Sequence, residues 1–179
     1  MPPPLMRPMP LVAGRSTVAN AFFALGTLIR YVLFGPEDHP MKYLHTMIRV
    51  SDLDRSIDFF VNKLGFIEQR RFENDKGRYT LVFVAAPESP DAPVELTYNW
   101  DPESYSGGRN FGHLALQVED IYDYCARLRN AGITINRPPR DGRMAFIKTP
   151  DGISIELLQK GDALPLQEPW TSMANVGSW

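Results

Sequence analysis

Leu44-His45-Thr46-Met47-Ile48-Arg49-Val50-Ser51-Asp52-Leu53 and Gly112-His113-Leu114-Ala115-Leu116-Gln117-Val118-Glu119-Asp120-Ile121 are two copies of one pattern, aligned from each histidine at a constant offset of 68 residues. Each opens with a histidine on an apolar strand of period two and then changes to helical spacing. In the first half Leu53, Ile57, Phe60, Val61 and Leu64 make an apolar stripe. Ser51 with Asp54 suggests a capping box at its start, and Gly65 marks its stop. In the second half Ile121, Tyr124, Cys125 and Leu128 make the stripe, and Gly132 stops it. The chain is a duplicated module.

Three strand-like runs follow each helix. In the first half they are Phe66–Phe72, Tyr79–Ala85 and Val94–Tyr98, with Asn74-Asp-Lys-Gly77 as a hairpin turn. In the second they are Ile133–Asn136, Met144–Thr149 and Ile153–Leu158, with Pro150-Asp-Gly152 as the turn. Each module (41–99 and 112–160, with 99–111 as linker) therefore reads β-α-β-β-β, an α+β fold. A four-stranded sheet with one helix behind it leaves its other face free to curl around a site.

Alternation decides which side chains share that face. His45, Met47 and Arg49 lie together, as do Glu95, Thr97 and Asn99. In the second module His113, Ala115 and Gln117 share a side, and so do Ser154, Glu156 and Leu158. An unpaired charge on a sheltered sheet face costs several kcal/mol, so it calls for a cation or a proton. A lone strand histidine is usually a hydrogen-bonded core residue, and a lone strand glutamate is usually solvated or paired. All four at equivalent places of a repeat point instead to a divalent metal held by His45, Glu95, His113 and Glu156. Nitrogen and carboxylate donors suit Ni²⁺, Co²⁺, Zn²⁺, Fe²⁺ or Mn²⁺. Without a cysteine ligand a closed structural zinc site is disfavoured, and four ligands leave two octahedral positions for water or substrate. His39 has no counterpart in the repeat and reads as a surface residue.

Composition narrows the function class. The net charge is −2 and the 19 Lys and Arg form no stripe, which argues against a nucleic-acid surface. The single Cys125 allows no internal disulfide and sits on the apolar stripe, as an inert core thiol. Residues 1–40 differ from the rest: they carry seven of the 16 prolines and no acidic residue before Glu37. Their apolar run around 18–34 is interrupted by Arg30, short of the roughly 20 apolar residues of a membrane span. A targeting peptide, an interfacial helix and a start codon placed upstream of Met41 compete for this segment, which is expected to be dispensable to function.

From about Met41 to Lys160 the chain resembles glyoxalase I, the lactoylglutathione lyase branch of the vicinal oxygen chelate superfamily. The motifs that carry the resemblance are Leu-His45-Thr-Met-Ile-Arg49-Val, Glu95-Leu-Thr-Tyr-Asn99-Trp, Gly112-His113 and Asp151-Gly-Ile-Ser-Ile-Glu156-Leu. The resemblance implies paired modules in a homodimer with active sites between subunits. It implies metal ligation by His45, Glu95, His113 and Glu156, with Glu156 as the proton-carrying catalytic residue. Arg49, Asn99, Arg109 and Arg143 are implied as glutathione contacts, each guanidinium suiting a carboxylate through two parallel hydrogen bonds. The implied substrate is the hemithioacetal of methylglyoxal and glutathione, and the product S-D-lactoylglutathione. The compact core and His45 at the first ligand position resemble the short bacterial type, which implies nickel, with cobalt or zinc as alternatives, and a cytoplasmic protein free of membrane and nucleic acid. An acyl-CoA epimerase, an extradiol dioxygenase and a metal-free ligand-sequestering protein of the same fold are the competing readings. Residues 161–179 extend beyond the resemblance and are expected to pack in part, through Trp170.

Overall fold

Asp52 and Asp120, equivalent in the repeat, each start a helix. In the computed structural model, which describes residues 42–179 except 107 and 109, the Asp52 carboxylate accepts from the Arg55 amide (3.0 Å) and caps α1 (Leu53–Ile57). Asp120 accepts from the amides of Tyr122 and Asp123 (2.9 and 3.0 Å) and caps α2 (Ile121–Asn130). The capping box expected from Ser51 and Asp54 is not formed. Ser51 instead turns to the other half of the chain: its amide and hydroxyl both donate to the Asp151 carboxylate (3.2 and 2.5 Å).

α1 runs into a π-helical stretch, Asp58–Lys63, where Leu64 N–H bonds five residues back to Phe59 C=O at 3.0 Å. The wider turn lets the adjacent Phe59 and Phe60 both enter the core, each 1% exposed. Gly65 (φ +83°) and Gly132 (φ +81°) end the two helical segments in the left-handed conformation that the sequence assigns to them.

The first module builds a four-stranded sheet from β1 (Thr46–Arg49), β2 (Ile67–Asn74), β3 (Tyr79–Ala85) and β4 (Val94–Asn99), ordered β1-β4-β3-β2. β1 and β4 are parallel and the remaining pairs antiparallel. The second module has three strands, β5 (His113–Val118), β6 (Met144–Lys148) and β7 (Ser154–Gln159), ordered β5-β7-β6. The strand expected at Ile133–Asn136 is replaced by a single bridge between Arg137 and Phe146. Pro138 and Pro139 follow immediately and lack the N–H groups needed to extend a ladder along β6. Ile48, Val50, Val82, Val84 and Leu96 of the first sheet share one buried apolar cluster with Ala145, Ile147, Ile155 and Leu157 of the second. Cys125 lies inside that cluster, fully buried, and burial pushes its thiol up to about 12.

The C-terminal segment folds back on the second module. Leu164 N–H donates to Gly142 C=O (3.0 Å) and the Tyr122 hydroxyl to Pro165 C=O (3.1 Å). Trp170, 3% exposed, stacks on Tyr122 with centroids 6.5 Å apart, and Arg129 lies over its ring. Arg140 donates to the Met173 carbonyl at 2.8 Å.

Candidate active site

The uncovered faces of the two sheets carry the same construction twice. β1 and β4 run in register with Met47 opposite Glu95, so His45, two residues before Met47, projects on the same side as the glutamate. His45 Nε2 stands 3.0 Å from Glu95 Oε2. In the second sheet Ala115 is opposite Glu156, and His113 Nε2 stands 3.0 Å from Glu156 Oε2. The imidazole side chains are 32% and 41% exposed while the carboxylates are 12% and 16% exposed. Each pair is thus open on its imidazole side and sheltered on its carboxylate side.

An aromatic ring backs each pair. Phe83 is the register partner of Glu95 and meets the His45 ring edge-on, with centroids 5.4 Å apart and planes at 80°. Phe146 is the register partner of Glu156 and meets His113 in the same way, at 5.6 Å and 82°. These rings fix the imidazole planes. Neither phenylalanine is singled out by the sequence pattern. The signal was available: each is the aromatic at mid-strand on the hairpin arm preceding a glutamate strand.

The pairs differ in one respect. Glu95 Oε1 accepts from Thr97 Oγ1 at 3.1 Å, which ties the carboxylate to its own strand. The equivalent position two residues after Glu156 is Leu158, which has no hydroxyl.

The donor chemistry fits a divalent transition ion, an imidazole nitrogen and a carboxylate oxygen converging in each half. Among the described residues of one chain no three His, Cys, Asp or Glu side chains converge as a metal cage. Within one chain the two His–Glu pairs therefore remain separate.

The expected substrate contacts fall in different places. Arg49 is exposed on β1, opposite Thr97 in register. Asn99 ends β4 and donates through Nδ2 to Glu103 and to the Tyr105 hydroxyl (3.2 and 3.3 Å). Arg109 lies outside the described residues. Arg143 precedes β6, where strand parity groups it with the buried Ala145 and Ile147, and its guanidinium donates to Gly161 C=O at 3.4 Å.

Residues 42–157 match the glyoxalase/bleomycin resistance protein/dioxygenase superfamily. The chain belongs to this superfamily. Within the glyoxalase superfamily it is 45% identical over 129 residues to a protein of Salmonella typhimurium named lactoylglutathione lyase, a match that covers 69% of this chain and 96% of the relative. Among solved structures it is similar to the trypanothione-dependent glyoxalase I of Leishmania major, with TM-score 0.62, 42% identity, and coverage of 67% of this chain and 87% of that one. It is also similar to glyoxalase I of Zea mays, with TM-score 0.61 and 34% identity, covering 68% of this chain but 45% of the maize chain. The paired β-α-β-β-β glyoxalase fold expected from the repeat is the fold observed, less one strand of the second module.

Proposed function

We propose that this protein is a lactoylglutathione lyase of the glyoxalase I type, which isomerises the hemithioacetal of methylglyoxal and glutathione to S-D-lactoylglutathione. The observation that carries the reading is the duplicated His–Glu pair, His45 with Glu95 and His113 with Glu156, each at 3.0 Å on equivalent strands. The similarity to the Salmonella enzyme supports glutathione as the thiol.

His45, Glu95, His113 and Glu156 would hold one divalent ion per site, Ni²⁺ by preference, with Co²⁺ or Zn²⁺ as alternatives. Because one chain supplies two half-sites, the complete centre is assigned to a homodimer, the first module of one subunit facing the second module of its partner. When bound, the ion supplies a Lewis acid that stabilises negative charge developing on the two substrate oxygens.

Glu156 is the base and acid of the reaction: it takes the proton from C1 and returns it to C2. Two features suit it to this. Its carboxylate is sheltered beside Phe146, and it lacks the threonine tether that holds Glu95. Glu95 is accordingly the fixed ligand. Arg49, Asn99 and Arg109 are assigned to the carboxylates and amides of the glutathione moiety. Arg143 completes that set, though its guanidinium already has a backbone partner in the chain.

Residues 41–160 form the catalytic domain in this reading, and residues 1–40 are dispensable to it. The protein is assigned to the cytoplasm. No helix among the described residues is long and apolar enough to cross a membrane.

The test follows thioester absorbance after methylglyoxal and glutathione are mixed with the protein. The assay is repeated after chelation and after restoring Ni²⁺, Co²⁺ or Zn²⁺. Turnover that vanishes on chelation and returns with metal supports the assignment. No turnover with any of the three metals overturns it.

A further inference from the structure

The two halves differ at one edge of the site-bearing face. In the first module β2 runs beside β3, and Arg70, opposite Phe83 in register, lays its guanidinium over that ring at 3.8 Å. The second module has no strand at the equivalent edge; Arg137 makes a single bridge to Phe146 there, and the C-terminal segment packs alongside. Val176 N–H donates to Asn136 C=O and the Asn136 side chain donates through Nδ2 to Val176 C=O, both at 2.8 Å. Two residues on, Ser178 Oγ lies 3.5 Å from Lys148 Nζ on β6. The chain then ends with the Trp179 indole against Phe146, centroids 6.2 Å apart and planes inclined by 31°. Phe146 is the ring that backs His113 and pairs in register with Glu156. Trp179 therefore stands over Phe146 as Arg70 stands over Phe83, on the face that carries His113 and Glu156.

We infer that Trp179 is a specificity-determining residue of this site, an aromatic wall that receives the apolar substituent of the bound 2-oxoaldehyde adduct. The inference rests on the function proposed above for its substrate class. Trp179 packs against Phe146 yet the residue remains 42% exposed, so it offers an apolar surface rather than filling the core. Its counterpart on the other half is a cation, so the two edges of the site select different chemistry. One suits an anionic or polar group and the other a ring or alkyl chain. The segment that delivers Trp179 lies beyond residues 42–157, the stretch that matches the superfamily. The wall is thus an addition to the shared domain.

Steady-state kinetics of the metal-loaded wild type, Trp179→Ala and Trp179→Phe, with methylglyoxal and with phenylglyoxal as aldehyde, test the inference. Trp179→Ala is expected to raise KM for the phenylglyoxal adduct about tenfold, in line with the loss of one aromatic contact and its buried area. The KM for the methylglyoxal adduct should rise by less, kcat should be little changed, and Trp179→Phe should recover most of the loss. A second readout is the emission of Trp179, taken as wild type minus Trp179→Phe, on titration with S-benzylglutathione, an unreactive thioether. A saturable change supports the wall. Unaltered aldehyde discrimination in Trp179→Ala, in a protein whose wild type turns over, overturns the inference and leaves the proposed activity standing. A wild type without turnover removes the proposed activity, and Trp179 emission blind to S-benzylglutathione then overturns the wall independently.

Discussion

Gly142 is where the course of the C-terminal segment can be broken at a position remote from the His–Glu pairs. Its φ of +67° is left-handed, and a methyl group there would stand 2.1 Å from the Leu164 carbonyl oxygen and 3.0 Å from the Leu164 carbonyl carbon and amide nitrogen. Those are backbone atoms, so no rotamer change relieves the clash. The left-handed conformation alone costs an alanine about 1–2 kcal/mol. Pushing Leu164 back to contact distance also breaks its 3.0 Å hydrogen bond to Gly142 C=O, for about 1 kcal/mol more, besides the displaced packing. Gly142→Ala should therefore lose about 2–4 kcal/mol, which lowers Tm by about 6–12 °C for a unit of this size. Gly132→Ala is the control: φ there is +81°, but the added methyl meets nothing within 4 Å, so only the conformational cost of about 1–2 kcal/mol applies. Urea titration of both variants reads the difference, and limited proteolysis shows whether the segment beyond Leu164 has come away. Equal stability of the two variants, with the C-terminal segment equally protected, would refute the course assigned to that segment.

Three further outcomes are expected. Glu156→Gln should keep most of its metal, as read by metal analysis, while kcat falls by about 10²–10⁴-fold; near-wild-type turnover in the metal-loaded variant would remove Glu156 as proton carrier. Leu158→Thr places beside Glu156 the hydroxyl that Thr97 gives Glu95, and a hydrogen bond to a charged group of about 1.5 kcal/mol should lower kcat roughly tenfold with metal content unchanged. Burial disfavours the charged form of Asp141, but bonds from the Arg137 guanidinium and the amides of Met144 and Arg143 outweigh it and hold the carboxyl at about 2. A depressed carboxyl contributes stability present above the ordinary value near 3.9 and lost as pH falls through about 2, so wild type should lose stability relative to Asp141→Asn between about pH 4 and pH 2. The carboxylate is 42% exposed, which reduces the expected difference to about 1 kcal/mol in acid titrations of unfolding.

The His–Glu pairings were legible in the sequence because strand parity is local. A histidine two residues before the register partner of a glutamate shares its face whatever the rest of the fold does. What was not legible depended on neighbours distant in the chain. The apolar stripe of the first helix omits Phe59, which becomes a core residue only because the π-helical turn brings two adjacent phenylalanines inward. Ser51 looked like a helix cap and bonds instead to Asp151, 100 residues away. The missing strand of the second module did leave a trace. The histidines are 68 residues apart but the glutamates only 61, so the second half is shorter by seven between its ligands, about one strand. The run Ile133–Asn136 has strand-like residues, but Pro138-Pro139 stops it from pairing along β6.

That shortening has a consequence for the site. A duplicated module with two complete sheets would present the same wall on either side of a metal. Here the first module keeps its edge strand and with it Arg70 over Phe83, while the second has a single bridge from Arg137 beside β6 and Trp179 against Phe146. The same half-sheets differ again beside the glutamates, where Thr97 holds Glu95 and Leu158 leaves Glu156 untied. Both departures from symmetry fall on the module that carries Glu156. In the proposed reaction the untied Glu156 suits the proton carrier and the tethered Glu95 the fixed ligand, while the unlike walls suit a substrate with a polar and an apolar end. On the proposed function, the duplication supplies the donors, and the places where its copies diverge supply the direction of the chemistry.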